Sequence, residues 1–355
     1  MKKINVLMVG VSPRRVGGML TVAQAYQTDA LYNENVNLKY VYTTTNGSAI
    51  TRMMCMVVGY IKTFYHLITR PIDIVHIHMA EKGSTFRKGG IAKISKSLFH
   101  KQVIIHLHAG PFMSWFKSCS VSKQNKIIKI FNSADKVIVL GHYWKIELGE
   151  IIDSNKLIVI HNGVPCSENN SYNPNSRNIV YFGVMTKAKG IYDLIDAIEL
   201  IDTSLPRDTK VILCGNDLEG NIEEVIAKKK LTSRFILAGW VSGEDKEKVF
   251  SNAMIDVLPS YFEGLSMTIL EGMAHGIPVI TTNISTMPEL LGKDGILVAP
   301  GDVKHLSEEL LRLNGDSTSR ARMSESEFKR VREMFSQRCM IDKTLELYES
   351  LLKRS

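Results

Sequence analysis

Short β-branched and aliphatic runs alternate with segments of helical length along almost all of this 355-residue chain, and the alternation is interrupted once. In the first half the strand-like runs are residues 4–9, 38–43, 72–76, 103–106, 137–140 and 157–160. Between them lie candidate helices at 19–32, 53–68, 91–99 and 122–131. A polar stretch at 166–177, C-S-E-N-N-S-Y-N-P-N-S-R, breaks the pattern and reads as an interdomain linker. Strand-like runs resume at 179–182, 211–214, 235–238, 255–258, 279–281 and 296–298. Strands alternating with helices predict parallel, doubly wound α/β sheets, because each parallel return needs a crossover. The length suits two such domains. They are bounded at 1–165 and 178–323, with a charged helical tail over 324–355.

Composition narrows the class. A hydrophobic content of 45% with 23% charged residues describes a globular protein that folds. No apolar run approaches the ~20 residues needed to span a bilayer. The longest candidate, 53–61, is flanked by Arg52 and Lys62. The opening M-K-K-I-N-V-L-M-V-G has the look of a signal peptide, but its apolar run stops at Gly10, so a first strand is expected. Five scattered cysteines without a C-x-x-C make neither a zinc site nor a disulfide framework and suit a reducing cytosol. Lysine and arginine exceed aspartate and glutamate by 44 to 36, a net +8, with the excess at 87–101 and 117–136. That asymmetry suits an anionic membrane face or a lipid-diphosphate acceptor. A merely soluble basic surface accounts for it equally well. No recognition motif accompanies the charge, so no nucleic-acid partner is expected.

Residues 260–281, S-Y-F-E-G-L-S-M-T-I-L-E-G-M-A-H-G-I-P-V-I-T, concentrate the chemistry. Two carboxylates, Glu263 and Glu271, stand eight residues apart across the entry to a short helix that Ser266 caps and Gly276 ends. The preceding run, 255–259, reads as a buried strand. One acid therefore sits at a strand's carboxyl end, where parallel α/β sheets bind ligands, and the other inside the following helix. Backbone N–H groups of Gly264, Leu265 and Ser266 at the positive end of the helix dipole favour a phosphate.

This stretch resembles the signature of the family-4 retaining glycosyltransferases (glycosyl transferases group 1), nucleotide-sugar enzymes of the two-domain GT-B fold. The likeness extends to M-A-H-G-I-P-V-I and to Pro288-Glu289-Leu290. It implies two Rossmann-like domains facing a central cleft, the second binding the donor. Glu263 would then face the donor sugar, Glu271 would accept hydrogen bonds from the ribose hydroxyls, and the 264–266 amides would support the leaving diphosphate. The resemblance further implies a metal-independent reaction, with no cofactor beyond the sugar nucleotide as substrate.

Other segments fit the same family with one departure. Residues 181–198, Y-F-G-V-M-T-K-A-K-G-I-Y-D-L-I-D-A-I, resemble a strand followed by G-R-(L/I) and K-G. Gly183 and Lys189 match, while Val184 stands where relatives place an arginine, and Lys187 is near enough to supply the missing cation. Gly17-Gly18 ends the first βα loop without a G-x-G-x-x-G spacing, which disfavours a nicotinamide dehydrogenase. Relatives bring such a glycine pair against the donor diphosphate; an ordinary tight turn would read the same. Period-2 alternation puts His106 and His108 on one face of a strand, with His76 and His78 alike in I-V-H-I-H-M. By the resemblance His108 positions the donor sugar, and no acidic ligand spacing supports a metal. Arg87 and Lys88, in G-S-T-F-R-K, would bind acceptor phosphate or form a solvated basic helix start, and Arg14 and Arg15 are similar. Asn162-Gly163 is a turn.

Together these imply retaining transfer of a sugar from a nucleoside diphosphate to a glycan or lipid-linked acceptor, as in bacterial surface polysaccharide assembly. Peripheral contact with the inner membrane face is expected. Two alternatives remain: a non-catalytic glycosyltransferase-like partner, suggested by Val184, and a sugar-nucleotide epimerase.

Overall fold

The computed structural model describes residues 3–14, 17–108 and 110–353. It divides into two units, Met1–Gly163 with Gln337–Ser355, and Val164–Ser336. Each unit carries a six-stranded, fully parallel sheet.

The first unit contains β1 (Ile4–Gly10), β2 (Val36–Tyr42), β3 (Ile74–Met79), β4 (Gln102–Leu107), β5 (Lys136–Val139) and β6 (Leu157–Val159), in the order β2-β1-β3-β4-β5-β6. The second contains β7 (Asn178–Phe182), β8 (Val211–Cys214), β9 (Phe235–Gly239), β10 (Ala253–Leu258), β11 (Val279–Thr282) and β12 (Ile296–Val298), in the order β12-β11-β10-β7-β8-β9. Helices between the strands cover the sheets, so central strands such as β3 and β10 are buried along their whole length. Burial on both faces explains why these strands are mostly apolar, broken only by His76 and His78 in β3 and Asp256 in β10.

Three sequence expectations are corrected. The helix expected over 19–32 is two helices, Gly18–Thr28 and Ala30–Asn35. Asp29 parts them by taking an extended backbone and capping the second, its carboxylate accepting from Tyr32 N–H at 2.9 Å. The polar stretch 166–177 is tied into the second unit, where Tyr172 donates to Met254 O and accepts from Arg320 Nε at 3.3 and 3.2 Å. The tail is not one helix from residue 324. Helix Ser317–Arg330 runs into a π-helical turn, Val331–Phe335, and Ser336 is extended before helix Gln337–Leu352 begins.

That last helix is fastened to the first unit by buried polar contacts. Tyr348 OH lies 3.1 Å from Tyr32 OH and 2.6 Å from His76 Nδ1, and Thr344 Oγ1 lies 2.9 Å from Tyr26 OH. His76, His78, His106 and His108 form a stacked group, with His78 Nδ1 2.8 Å from His108 Nε2 and His76 Nε2 3.3 Å from His106 Nδ1. Burial lowers all four pKa values, to about 3 for His76 and His108, so the rings are neutral.

A histidine with a depressed folded-state pKa contributes stability that is complete above its unfolded value. That stability is lost as pH falls from about 6.5 toward the folded value, by at most about 1.4 kcal/mol per pH unit per group. The urea midpoint of the wild type minus that of His76→Gln should therefore decline between pH 7 and pH 5. A flat difference would show that His76 protonates as readily when folded as when unfolded.

Candidate active site

In the second unit the chain runs from β7 outward through β8 and β9, then returns to the other side of β7 as β10. The connections at the carboxyl ends of β7 and β10 therefore leave in opposite senses, and a crevice opens where they part. The loop after β7 ends in the 3-10 turn Lys187–Lys189 and Gly190; the loop after β10 runs from Pro259 to helix Met267–Ala274.

Gly190 joins these loops. It adopts φ +70°, and a Cβ there would stand 1.9 Å from Pro259 O. Tyr261 N–H donates to Ala188 O at 2.9 Å. Lys189 Nζ thereby reaches Glu263 Oε1 at 2.6 Å, and the fully buried Ser260 hydroxyl donates to the same oxygen at 2.9 Å. Only 8% of the Glu263 side chain is exposed, so this carboxylate is held rather than solvated. Burial, then the Glu263 carboxylate, raises the pKa of Tyr181, whose hydroxyl donates to Val184 O at 2.9 Å. Lys187 is exposed, its backbone N–H donating to Glu219 Oε1 at 2.8 Å. Gly183 is pressed by its neighbour, since a Cβ on Gly215 would stand 1.9 Å from Gly183 O.

Ser266 occupies the N-cap position expected of it, but its hydroxyl makes no capping bond and lies 3.2 Å from Thr268 Oγ1. Leu265 is buried, and Gly264 O accepts from Thr286 Oγ1 at 2.7 Å. Glu271, on the helix, pairs with Lys246 Nζ at 2.5 Å. Lys246 was missed in the sequence. It comes from helix Gly243–Ser251, 25 residues away, and its ammonium stands 5.6 Å from the Phe182 and Phe250 ring centroids. Asp256 lies beneath, buried in β10, its pKa raised well above the ordinary carboxylate value by burial against the opposing effect of Lys246. An acid inside the apolar run M-I-D-V-L was a legible signal for Asp256; nothing local marked Lys246.

The sheet of the first unit reverses between β1 and β3. A cavity of about 250 Å³ there is lined by residues including Gly17, Gly18, Thr44, Ser84 and Arg87. Gly17 has φ +128° and begins the helix with its carbonyl accepting from Leu20 N–H at 2.9 Å, so its backbone, rather than crowding, calls for glycine. Lys88 fits neither the solvated helix start nor the acceptor-phosphate contact expected of it. It is fully buried in helix Gly83–Ser97, and its ammonium donates to His78 O. Arg14 is exposed, whereas Arg15 and Ala109 lie outside the described residues. One ring nitrogen each of His76, His78 and His106 lies within 4.8 Å of the others. A divalent cation there would sit near the buried Lys88 ammonium, which already depresses the pKa of His78, and low dielectric opposes that.

Residues 176–316, most of the second unit, match the family model described as Glycosyl transferases group 1. The chain carries a group 1 glycosyltransferase domain. An uncharacterised glycosyltransferase of Methanocaldococcus jannaschii is 28% identical over 283 residues, covering 79% of this glycosyltransferase and 76% of its own length. The capsular polysaccharide biosynthesis glycosyltransferase CapM of Staphylococcus aureus is 27% identical over 286 residues, 79% of this chain and 66% of its own. Anabaena HepE, solved in complex with UDP, matches in fold with a TM-score of 0.77 at 16% identity, over 98% of this chain and 100% of its own. The fold is GT-B.

Gly190→Ala should destabilise this glycosyltransferase by more than ~1 kcal/mol, because both the backbone conformation and the space exclude a methyl group. Thermal unfolding gives the measurement, and an unchanged midpoint would show that the two loops part freely.

Proposed function

We propose that this glycosyltransferase moves a sugar, with retention of anomeric configuration, from a nucleoside diphosphate to a glycan or lipid-linked acceptor in surface polysaccharide assembly. The observation that carries the reading is the Lys189–Glu263 pair, fixed by Ser260 where the sheet of the second unit reverses. The similarity to CapM supports the polysaccharide setting.

In the proposed reaction the bond from the anomeric carbon to the diphosphate oxygen breaks, and the acceptor oxygen bonds to that carbon on the same face. The acceptor's proton passes to the departing phosphate oxygen. Lys189 and the 264–266 amides stabilise the charge on the diphosphate, while Glu263 orients the sugar and balances positive charge at the anomeric carbon. Glu271 takes the ribose hydroxyls, and Lys246 holds its carboxylate in place beforehand. His108 keeps, in this reading, the role that the family resemblance gives it, positioning the sugar. No protein nucleophile and no metal ion enters the step.

Glu263→Ala should abolish turnover while leaving nucleoside diphosphate affinity within about 0.5 kcal/mol. Glu271→Ala should weaken that affinity by roughly 1.5–3 kcal/mol, as expected for hydrogen bonds to a charged acceptor. Calorimetry and a donor-panel transfer assay read both; near-normal turnover in Glu263→Ala would remove the catalytic assignment.

Val184 favours the second reading, a non-catalytic partner, because that side chain supplies no cation to a diphosphate. If the site works, Lys189→Ala and Lys187→Ala should each weaken nucleoside diphosphate binding, and Val184→Arg should leave it equal or tighter. Three affinities unchanged beyond ~0.5 kcal/mol would favour the partner reading.

A further inference from the structure

Helix Ala49–Thr69 is amphipathic in the inverse sense. Its inner face is Gly59, Thr63 and Leu67, with Gly59 so close to β2 that a Cβ would stand 2.6 Å from Tyr42 O. Its outer face carries Ile50, Met53, Met54, Val57, Val58, Ile61, Tyr65 and Ile68, each between 47% and 70% exposed. These recur at helical spacing, so they form one stripe about 27 Å long at 1.5 Å per residue. An apolar patch of this extent marks an interaction surface.

The charge around the stripe has one sign. The helix contains no acid, and Arg52, Lys62 and Arg70 are exposed along it. Lys39, Arg70 and Lys62 all act, after burial, to lower the pKa of His66 on the same helix. A second copy of this face would bring those cations together, so self-association is opposed. Along one flank, Met56, Val57, Tyr60, Ile61 and Phe64 line a groove of about 500 Å³ with Arg87. Arg87 also lines the smaller cavity beside Gly17 and Gly18. The groove is within the size range of small-molecule sites. An apolar channel beside a guanidinium matches a hydrocarbon chain joined to a phosphate.

We propose that helix Ala49–Thr69 seats this protein on an anionic lipid bilayer, and that the groove takes the hydrocarbon chain of a lipid whose phosphate meets Arg87. That this lipid is the sugar acceptor rests on the reading of the chain as a transferase; the surface itself does not. An amphipathic helix with aliphatic residues on one face and cations beside them partitions into anionic interfaces in this way.

The test is flotation of the full chain with phosphatidylglycerol vesicles and, separately, phosphatidylcholine vesicles. Association with the first and at least tenfold less with the second is expected. Met54→Glu/Ile61→Glu, on exposed positions, should abolish it while nucleoside diphosphate affinity stays within about twofold. Should that variant lose nucleotide binding too, Arg52→Gln/Lys62→Gln decides, with about thirtyfold weaker partitioning expected from two lost cations. For the groove, Met56→Trp, which lines it but lies off the exposed stripe, should emit more than wild type, and brominated phosphatidylglycerol chains should quench the added emission. A wild type that stays unbound, association unchanged by the deciding variant, or added indole emission that the bromines leave unquenched each overturns the proposal. Flotation without any sugar transfer would sink the transferase reading and leave the bilayer surface standing.

Discussion

One position holds the candidate active site together: Gly190, where only a hydrogen atom fits between the loop after β7 and the Pro259 carbonyl at the end of β10. The parallel sheet alone would send these two loops apart, because it reverses direction between them. Their contact lets a lysine from one loop meet a glutamate from the other at 2.6 Å. The K-G dipeptide therefore has two separable parts. The lysine contributes charge, and the glycine contributes the approach that gives the charge an address.

The electrostatics follow from that approach. Both acids of the 260–281 stretch are matched by a lysine, Glu263 by Lys189 and Glu271 by Lys246. A nearly buried carboxylate without a partner would carry a desolvation cost of several kcal/mol. The pairing removes most of that cost and fixes the rotamers of both acids. A diphosphate would then meet the Lys189 ammonium already in place, so little reorganisation would be needed. Asp256 differs: burial dominates over the opposing effect of Lys246 and raises its pKa well above the ordinary carboxylate value.

Much of this was legible in the sequence because the signals are local. All twelve strand-like runs form strands, the central ones because a parallel strand covered on both faces is mostly apolar. The spacing of Glu263 and Glu271 across a helix start was likewise readable, as was the GT-B fold through the motifs around them. What was not legible depends on distance along the chain. Lys246 reaches Glu271 from a separate helix, and its own neighbours, G-E-D-K-E-K, look like an ordinary solvated helix start. The break at Asp29 was missed because a capping carboxylate inside an apolar pattern resembles a helix-surface acid. The tail reads as one helix because the π-helical turn at Val331–Phe335 keeps helical spacing up to the extended residue Ser336.

Arg87 and Lys88 show why composition could not assign the basic segments. Both are cations in one hexapeptide, yet one helical step of rotation separates their fates. Lys88 turns inward, where its ammonium meets the His78 carbonyl and reinforces the neutrality of the histidine group. Arg87 stays at the wall of the apolar groove and of the cavity beside Gly17. A net charge counts the two equally, but a buried ammonium organises the core while a guanidinium at a cavity wall can meet a ligand's charge. The same logic applies to helix Ala49–Thr69. Its apolar residues outnumber its polar ones, so sequence alone reads it as core, and only its packing through Gly59, Thr63 and Leu67 turns the aliphatic stripe outward. A helix anchored by its small residues is free to present its large ones, and that inversion makes this face of the first unit an interaction surface rather than part of its core.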